Sequence, residues 1–97
     1  MSFYILLINW TDQGIKKIKD SPDRYTAFKR SVEKAGGKIV GAYYTFGEYD
    51  VVLIIEAASD DTVLSIMLGI GSYGNVRSKT LRAFTADEGK TIIDELP

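Results

Sequence analysis

The segment that decides the fold is Tyr43-Tyr44-Thr45-Phe46-Gly47-Glu48-Tyr49-Asp50, which joins two runs of strand-forming residues through a single glycine. Residues 38–46 form the run before the glycine, and residues 51–56 form the run after it. A connection this short requires the two strands to pair antiparallel. The segment therefore predicts a β-hairpin that gathers aromatic and acidic side chains at its tip.

The strands that would surround this hairpin are apolar at consecutive positions. Residues 3–8 and 51–55 contain almost no polar side chain. An antiparallel strand with one face in water would instead alternate between apolar and polar residues. We therefore expect both faces of the sheet to be covered.

The first half of the chain predicts two helices. Thr11 is placed to cap a short helix through residue 19, with Ile15 and Ile18 facing inward. Ser21 and Pro22 then supply an N-cap and a first helical position, and a Gly-Gly pair ends this second helix about four turns later.

The second half of the chain predicts a helix, a strand and a further helix. Ser59 or Asp60 is placed to cap the third helix, and residues 76–84 read as a fourth strand. Thr85 is placed to cap a final helix, and this helix has one apolar face made by Gly89, Ile92, Ile93 and Leu96.

The resulting order is an α+β ferredoxin-like βαββαβ pattern with an extra C-terminal helix, in a single domain over residues 1–97. Two helices would cover one face of the sheet. If even ~500 Å² of the other face were apolar, its burial would be worth roughly 10 kcal/mol. We therefore expect the chain to form a homodimer, or a multiple of dimers, in which two sheets close into a dimeric α-β barrel.

Composition excludes several classes of function. Twelve Lys and Arg against 13 Asp and Glu give a net charge of -1, so no overall field would attract nucleic acid or an anionic membrane. The chain has no cysteine and no histidine, so we expect no metal site and no cofactor. The apolar start is too short to span a bilayer, and we expect a cytoplasmic protein.

The hairpin tip carries the first candidate site residues. Tyr43 and Tyr44 point to opposite faces of their strand, so one ring can line a cavity. Tyr49 and Asp50 follow the glycine, where a phenol and a carboxylate can bind a polar ligand or move a proton. The alternative is that Asp50 binds turn amides and Tyr49 packs on a strand edge.

Arg82 and Trp10 are the remaining candidates. A guanidinium on an otherwise apolar strand needs an anionic ligand or a carboxylate from the same or a facing chain, namely Glu56, Asp50 or Asp12. Alternation places Arg82 on the face opposite the strand's other two basic residues, so the three do not form one phosphate-binding patch. Trp10 follows the first strand and would either line a barrel mouth or cover the short helix.

Three segments of the chain resemble the GYD domain family: Asn9-Trp10-Thr11-Asp12-Gln13-Gly14-Ile15, residues 41–50 with Gly47-Glu48-Tyr49-Asp50 at the name-giving turn, and residues 74–85. The resemblance covers nearly the whole chain. It implies a small bacterial protein with the architecture of dimeric α-β barrel proteins, and it implies no particular activity.

We therefore expect a homo-oligomer that binds a small, partly apolar molecule in the barrel near Trp10, Tyr43, Tyr44, Tyr49, Asp50 and Arg82. One alternative is a cofactor-independent enzyme of the isomerase, lyase or monooxygenase type. It would use Asp50 or Glu48 as base, with Arg82 or Tyr49 stabilising an enolate. A second alternative is a purely structural oligomer. An RNA-binding role is not favoured, because aliphatic residues replace the aromatic pair that stacks bases.

Overall fold

The computed structural model describes all 97 residues of the chain. Its elements follow the predicted order and are β1 (Ser2–Trp10), α1 (Asp12–Lys16), a 3-10 turn (Ile18–Asp20), α2 (Ser21–Lys34), β2 (Lys38–Tyr44), β3 (Val51–Ala57), α3 (Asp60–Ser72), β4 (Val76–Ala83) and α4 (Ala86–Asp94). None of the helices combines the length and the apolar character needed to cross a membrane.

The four strands form one antiparallel sheet in the order β2-β3-β1-β4. The two most apolar strands, β1 and β3, lie at the centre, where both of their edges are paired. Leu6, for example, stands between Leu53 of β3 and Thr80 of β4. This arrangement confirms the predicted ferredoxin-like α+β fold.

One face of the sheet is covered by α2 and α3. The core lies between them and consists of ten buried residues: Tyr4, Leu6, Ile8, Phe28, Val32, Leu53, Ile55, Ala57, Val63 and Met67. Alternate residues of each strand point away from this core. We call that side of the sheet the open face, and its apolar residues are Phe3, Ile5, Leu7, Tyr43, Val52, Ile54 and Leu81. No element of the chain lies across the open face.

A β-bulge in β2 changes which residues share a face. The pairing with β3 shifts between Ile39 and Gly41, so Val40 is the extra residue. Simple alternation groups Ile39 with Gly41 and Tyr43, but this grouping is wrong. Ile39 packs against the core, whereas Gly41 and Tyr43 pair opposite Ile54 and Val52 on the open face.

Three of the predicted helix caps are confirmed, and one is not. The side chains of Thr11, Ser59 and Thr85 each accept a hydrogen bond from the amide three residues later. Ser21 lies inside α2 instead of capping it, and Asp20 takes the N-cap position without a side-chain bond. The Ser21 hydroxyl is buried and engages the Tyr44 hydroxyl, so it is not free to cap the helix.

The short first helix packs differently from its predicted pattern. Ile15 and Ile18 are 47% and 37% exposed, so the expectation that they face inward is wrong. The α-helix ends at Lys16 and a 3-10 turn follows, so the 3.6-residue period does not continue from one isoleucine to the next. The residue that α1 buries is Gly14. Phe46 lies beyond the end of β2 and is fully exposed, not on a strand.

The last helix, α4, is amphipathic but has no buried residue. Its apolar side chains Ile92 and Ile93 are half or more exposed, as is Leu96, which was expected on the same helix face but lies two residues beyond the helix end. A reciprocal capping box between Thr85 and Glu88 fixes its first turn. The helix therefore forms from local interactions and leaves its apolar face without a partner within the chain.

Candidate functional site

A cleft of about 1260 Å³ opens between α2 and α3 on the helix-covered side of the sheet. Its floor is formed by sheet residues at the end where β1 finishes, namely Ile8, Val51, Leu53 and Val76. Its walls include Tyr25 and Phe28 from α2 and Ile66 and Ile70 from α3. Side chains of the chain leave this space unfilled.

Two of the predicted site residues meet at the rim of this cleft. The rings of Trp10 and Tyr44 lie 6.3 Å apart between centroids, with their planes tilted by 32°. The Tyr44 hydroxyl is 3.0 Å from the Ser21 Oγ at the start of α2. This bond connects β2 to α2 and holds the phenol beside the cleft. Tyr44 is nevertheless 62% exposed, so its ring has a free surface on which a ligand can pack.

Tyr43 pairs with Val52, and this strand position places its side chain on the open face, although the residue is also among those that border the cleft. Its ring lies over Gly41, where an added Cβ would come within 3.0 Å of the ring. Gly41 therefore provides the space for this ring. The neighbouring tyrosines thus point to opposite sides of the sheet, as their alternation predicts.

Asp50 binds the backbone at the end of β1. Its carboxylate accepts a hydrogen bond from the Trp10 amide at 3.0 Å, and its own amide donates to the Ile8 carbonyl at 2.9 Å. The Asn9 side chain donates to the Glu48 carbonyl at 3.0 Å. Gly47 has a φ of +93°, a backbone conformation that favours glycine. These contacts attach the hairpin tip to β1 and fix the position of Trp10.

Tyr49 lies on the other side of the sheet from the cleft. The Lys79 ammonium is 5.8 Å from the centre of its ring, and Lys79 pairs with Leu7 on the open face. This distance is within the range of a cation–π contact. Tyr49 therefore stands at the edge of the open face and not in the cleft.

Arg82 lies at the opposite end of the sheet. It pairs with Tyr4, six residues before Trp10 on β1, which corresponds to about 20 Å along an extended strand. Its guanidinium stacks on the rings of Phe84 at 4.4 Å and Tyr4 at 5.6 Å. It also donates to Ser2 Oγ at 3.0 Å and to the Ala83 carbonyl.

The salt bridge of the chain joins Lys90 to Asp94 within α4, and Arg82 forms none with a carboxylate of its own chain. Within one chain its neighbours are aromatic rings and a backbone carbonyl. An anionic ligand or a carboxylate from a facing chain stays a prediction. Asp50 and Arg82 lie too far apart in one chain to act on the same small substrate. The predicted residues thus divide among three places: the cleft, the open face and the far end of the sheet.

Close to Arg82, Tyr4 donates a hydrogen bond of 2.5 Å to the Asp60 carboxylate at the start of α3. Burial raises the pKa of the Tyr4 hydroxyl above its ordinary value of 10.0, and the hydrogen bond and negative charge of Asp60 raise it further. This contact joins the central strand to the helix above it. The phenol is therefore a hydrogen-bond donor and not a base at neutral pH.

Sequence reasoning missed Arg24, which borders the cleft from α2. Its guanidinium donates to the carbonyls of Gly14 at 3.3 Å and Lys17 at 3.2 Å. Arg24 is one of several basic residues in this part of the chain, and the sequence has no signal that distinguishes it. The cleft itself is formed jointly by residues of α2, α3 and the sheet, and no local sequence pattern predicts such an arrangement.

Comparison with known proteins agrees with this architecture. The GYD domain family profile matches residues 4–93. A relative from Thermus thermophilus, the glutamine synthetase and cystathionine beta-lyase binding protein, is 33% identical over 84 residues. That alignment covers 86% of this chain and 88% of the relative.

Two solved structures share the fold. A feast or famine regulatory protein from M. tuberculosis, complexed with L-methionine, superposes with a TM-score of 0.62 at 21% identity. The match covers 90% of this chain and 54% of the regulator, about half of its length. A crystal structure of a protein from Thermus thermophilus has a TM-score of 0.55 at 23% identity and is covered over 96% of its length, with 89% of this chain matched. Because the family profile spans nearly the whole chain, this protein belongs to the GYD domain family.

Proposed function

We propose that this chain is a cytoplasmic, homodimeric binding protein that holds a small, partly apolar molecule in the cleft between α2 and α3. The observation that carries the proposal is the cleft itself. It has a volume of about 1260 Å³, an apolar floor and two adjacent aromatic rings at its rim. Binding sites for small molecules are typically concave and apolar, with a few polar groups that orient the ligand.

The homodimer follows from the open face. Its central row, Leu81-Ile5-Ile54-Gly41, has no charged side chain, and Leu81 and Tyr43 are 48% and 59% exposed. Soluble proteins rarely leave a continuous apolar sheet face in water. A second copy packed on this face would cover it. Large side chains from both copies would then fill the barrel interior, so the cleft on the helix side is the better place for a ligand.

The cleft also indicates the chemistry of its ligand. The floor suits an aliphatic or thioether group, and the rim offers the Arg24 guanidinium together with the carboxylates of Asp20 and Asp23. A molecule with an apolar body and a zwitterionic head, such as an apolar amino acid, matches this division. The structural neighbour from M. tuberculosis is complexed with L-methionine, which supports an amino acid as the first probe.

The test uses Trp10, the single tryptophan of the chain, as a fluorescent reporter. We expect L-methionine to change its emission in a saturable manner. Glycine has the same zwitterionic head without an apolar body and should have no effect. Native mass spectrometry of protein purified from its own host would show whether a small molecule is already bound.

A matched pair of variants locates the site. Gly69 lines the cleft and Gly71 does not, and an added Cβ at either position meets nothing within 4 Å. Gly69→Phe should fill the cleft and abolish the response, whereas Gly71→Phe should retain it. The same response in both variants would show that the cleft is not the site. An empty protein with unchanged emission in all titrations would contradict ligand binding altogether.

A second candidate function is the binding of enzymes. It is favoured by the relative named as a glutamine synthetase and cystathionine beta-lyase binding protein, which matches 86% of this chain. Size-exclusion chromatography of this protein mixed with purified glutamine synthetase or cystathionine beta-lyase would test it. Co-elution at micromolar concentration would support this function, and separate elution from both enzymes would contradict it.

A further inference from the structure

The open face carries one acidic and one basic side chain, Glu56 and Lys38, at one end and two basic side chains at the other. Glu56 is the one acidic residue among the paired strand positions that face this side. Lys79 and Arg77 lie at the other end of the sheet, opposite Leu7 and Asn9. Glu56 makes no ion pair within the chain, although Lys38 stands beside it on β2.

We propose that two copies of this chain pack open face to open face through reciprocal ion pairs between Glu56 of one copy and Lys79 of the other. This inference rests on the proposed homodimer, and it names the groups that set the geometry of that dimer. Two-fold symmetry makes each pair occur twice, because the contact of one copy with the second is repeated in reverse.

The positions of the two charges permit this pairing. Measured from the midpoint between the paired residues Ile5 and Ile54, strand spacing places Glu56 about 7 Å and Lys79 about 10 Å from the centre, in nearly opposite directions. A two-fold axis in the plane of the interface, lying between these directions, brings each glutamate over the lysine of the other copy. The strands of the two sheets would then cross at roughly 65°.

The area of the face is adequate for a stable contact. Four strands spaced by about 4.8 Å and about seven residues of about 3.3 Å each give roughly 440 Å² of flat face per copy. Two copies would cover about 900 Å² before the relief of the side chains is counted, close to the ~1,000 Å² that marks the lower bound of a biological interface. The apolar centre would supply the affinity, and the charges would select one orientation.

Lys79 is available for this role. In the single chain its ammonium contacts the Tyr49 ring and forms no ion pair. An exposed cation–π contact of this kind contributes about 0.5–1 kcal/mol and leaves the ammonium free to donate hydrogen bonds to a carboxylate as well. Arg77 lies farther out on the same strand and strengthens the positive field at this end.

Charge exchange tests the proposal. Sedimentation equilibrium should show that Glu56→Lys and Lys79→Glu each weaken the dimer at least tenfold, because like charges then face each other. The double variant should return to within about threefold of the original dissociation constant. Lys29→Glu and Glu33→Lys on the exposed surface of α2 change the net charge equally and should leave association unchanged.

A second measurement does not depend on charge. The chain has no cysteine, so Glu56→Cys combined with Lys79→Cys should form a covalent dimer on oxidation, whereas Glu56→Cys alone should not. Independent, additive losses in the charge variants together with no cross-linking would overturn the ion pair. A wild-type protein that stays monomeric at 100 μM would instead contradict the homodimer on which the inference rests.

Discussion

Gly14 is the position where one added methyl group should cost the most. A Cβ at this glycine would lie 1.9 Å from the carbonyl oxygen of Asn75, so Gly14→Ala must push the turn between α3 and β4 away from α1. That turn accepts hydrogen bonds from the Thr11 amide at 3.1 Å and the Thr11 hydroxyl at 2.6 Å, and two more from Gln13 at 2.9 Å. All four bonds depend on the close approach.

The magnitude follows from these contacts. Each net hydrogen bond is worth about 0.5–1.5 kcal/mol, and exposed bonds fall at the lower end because water replaces them. Three of the four bonds are exposed, so the loss of all four amounts to about 3 kcal/mol in total. Alanine returns about 1 kcal/mol through its better helix propensity. We expect Gly14→Ala to lower the free energy of unfolding by about 2 kcal/mol.

Urea unfolding followed by Trp10 fluorescence measures this loss, at a fixed chain concentration because association adds to apparent stability. The slope of the transition should stay the same, and its midpoint should fall by about 1 M. A midpoint within 0.3 M of the wild type would refute the reasoning, since it would show that the turn moves aside at no cost.

Two further predictions use the same assay, and a third uses circular dichroism. Gly69→Ala should raise the free energy of unfolding by about 0.5–1 kcal/mol, because the added methyl group meets no atom within 4 Å and alanine favours a helix; a loss of stability would contradict this. The folded-state pKa of Tyr4 lies above its unfolded value of 10.0, so its contribution is complete below pH 10 and is lost as the pH rises toward the folded pKa. Between pH 9 and pH 11, the free energy of unfolding of Tyr4→Phe should therefore fall less than that of the wild type. An equal fall in both proteins would contradict the raised pKa of Tyr4. The hydrogen bond from the Thr85 amide lowers the pKa of Glu88 below 4.5, so its contribution is present above that pH and is lost as the pH falls through the folded pKa; circular dichroism of Glu88→Gln should show an acid loss of helix smaller than that of the wild type, and equal losses would count against the capping box.

The sequence predicted the elements whose signals are local. The consecutive apolar residues 3–8 and 51–55 identified the two central strands, because such runs require cover on both faces. Thr11, Ser59 and Thr85 were recognisable as caps since their hydroxyls precede helical patterns at the right spacing. The order of these elements was then enough to define the fold.

The features that the sequence did not predict depend on contacts between distant segments. Ser21 has the residue type of an N-cap, but its hydroxyl binds Tyr44 across the structure. The bulge at Val40 interrupts an alternation that looks regular in the sequence. The cleft depends on how residues of α2, α3 and the sheet come together near the end of β1, and the sequence pattern of neither helix predicts it.

The positions of the candidate residues also depend on contacts between distant segments. Trp10 and Tyr44 come together because β1 and β2 both pair with β3, which places the ends of these two strands one strand apart. Arg82 was expected to bind an anionic ligand or a carboxylate of the same or a facing chain, and within one chain the rings of Tyr4 and Phe84 lie beside its guanidinium. No spacing in the sequence distinguishes an aromatic residue that contacts a cation from an aromatic residue of the core.

The helix α4 has a consequence for how this chain exchanges its amide hydrogens with solvent. It has nine residues, none of them buried, and its first turn is held by its own capping box. A helix of this length is marginally stable in water without tertiary support. The amides of α4 should therefore exchange through local opening of the helix, whereas the amides of β1 should exchange only when the whole domain unfolds. Deuterium uptake resolved by residue would then show two exchange rates in one small domain, a fast one in α4 and a slow one in β1. A partner that binds Ile92, Ile93 and Leu96 would slow the exchange of the α4 amides.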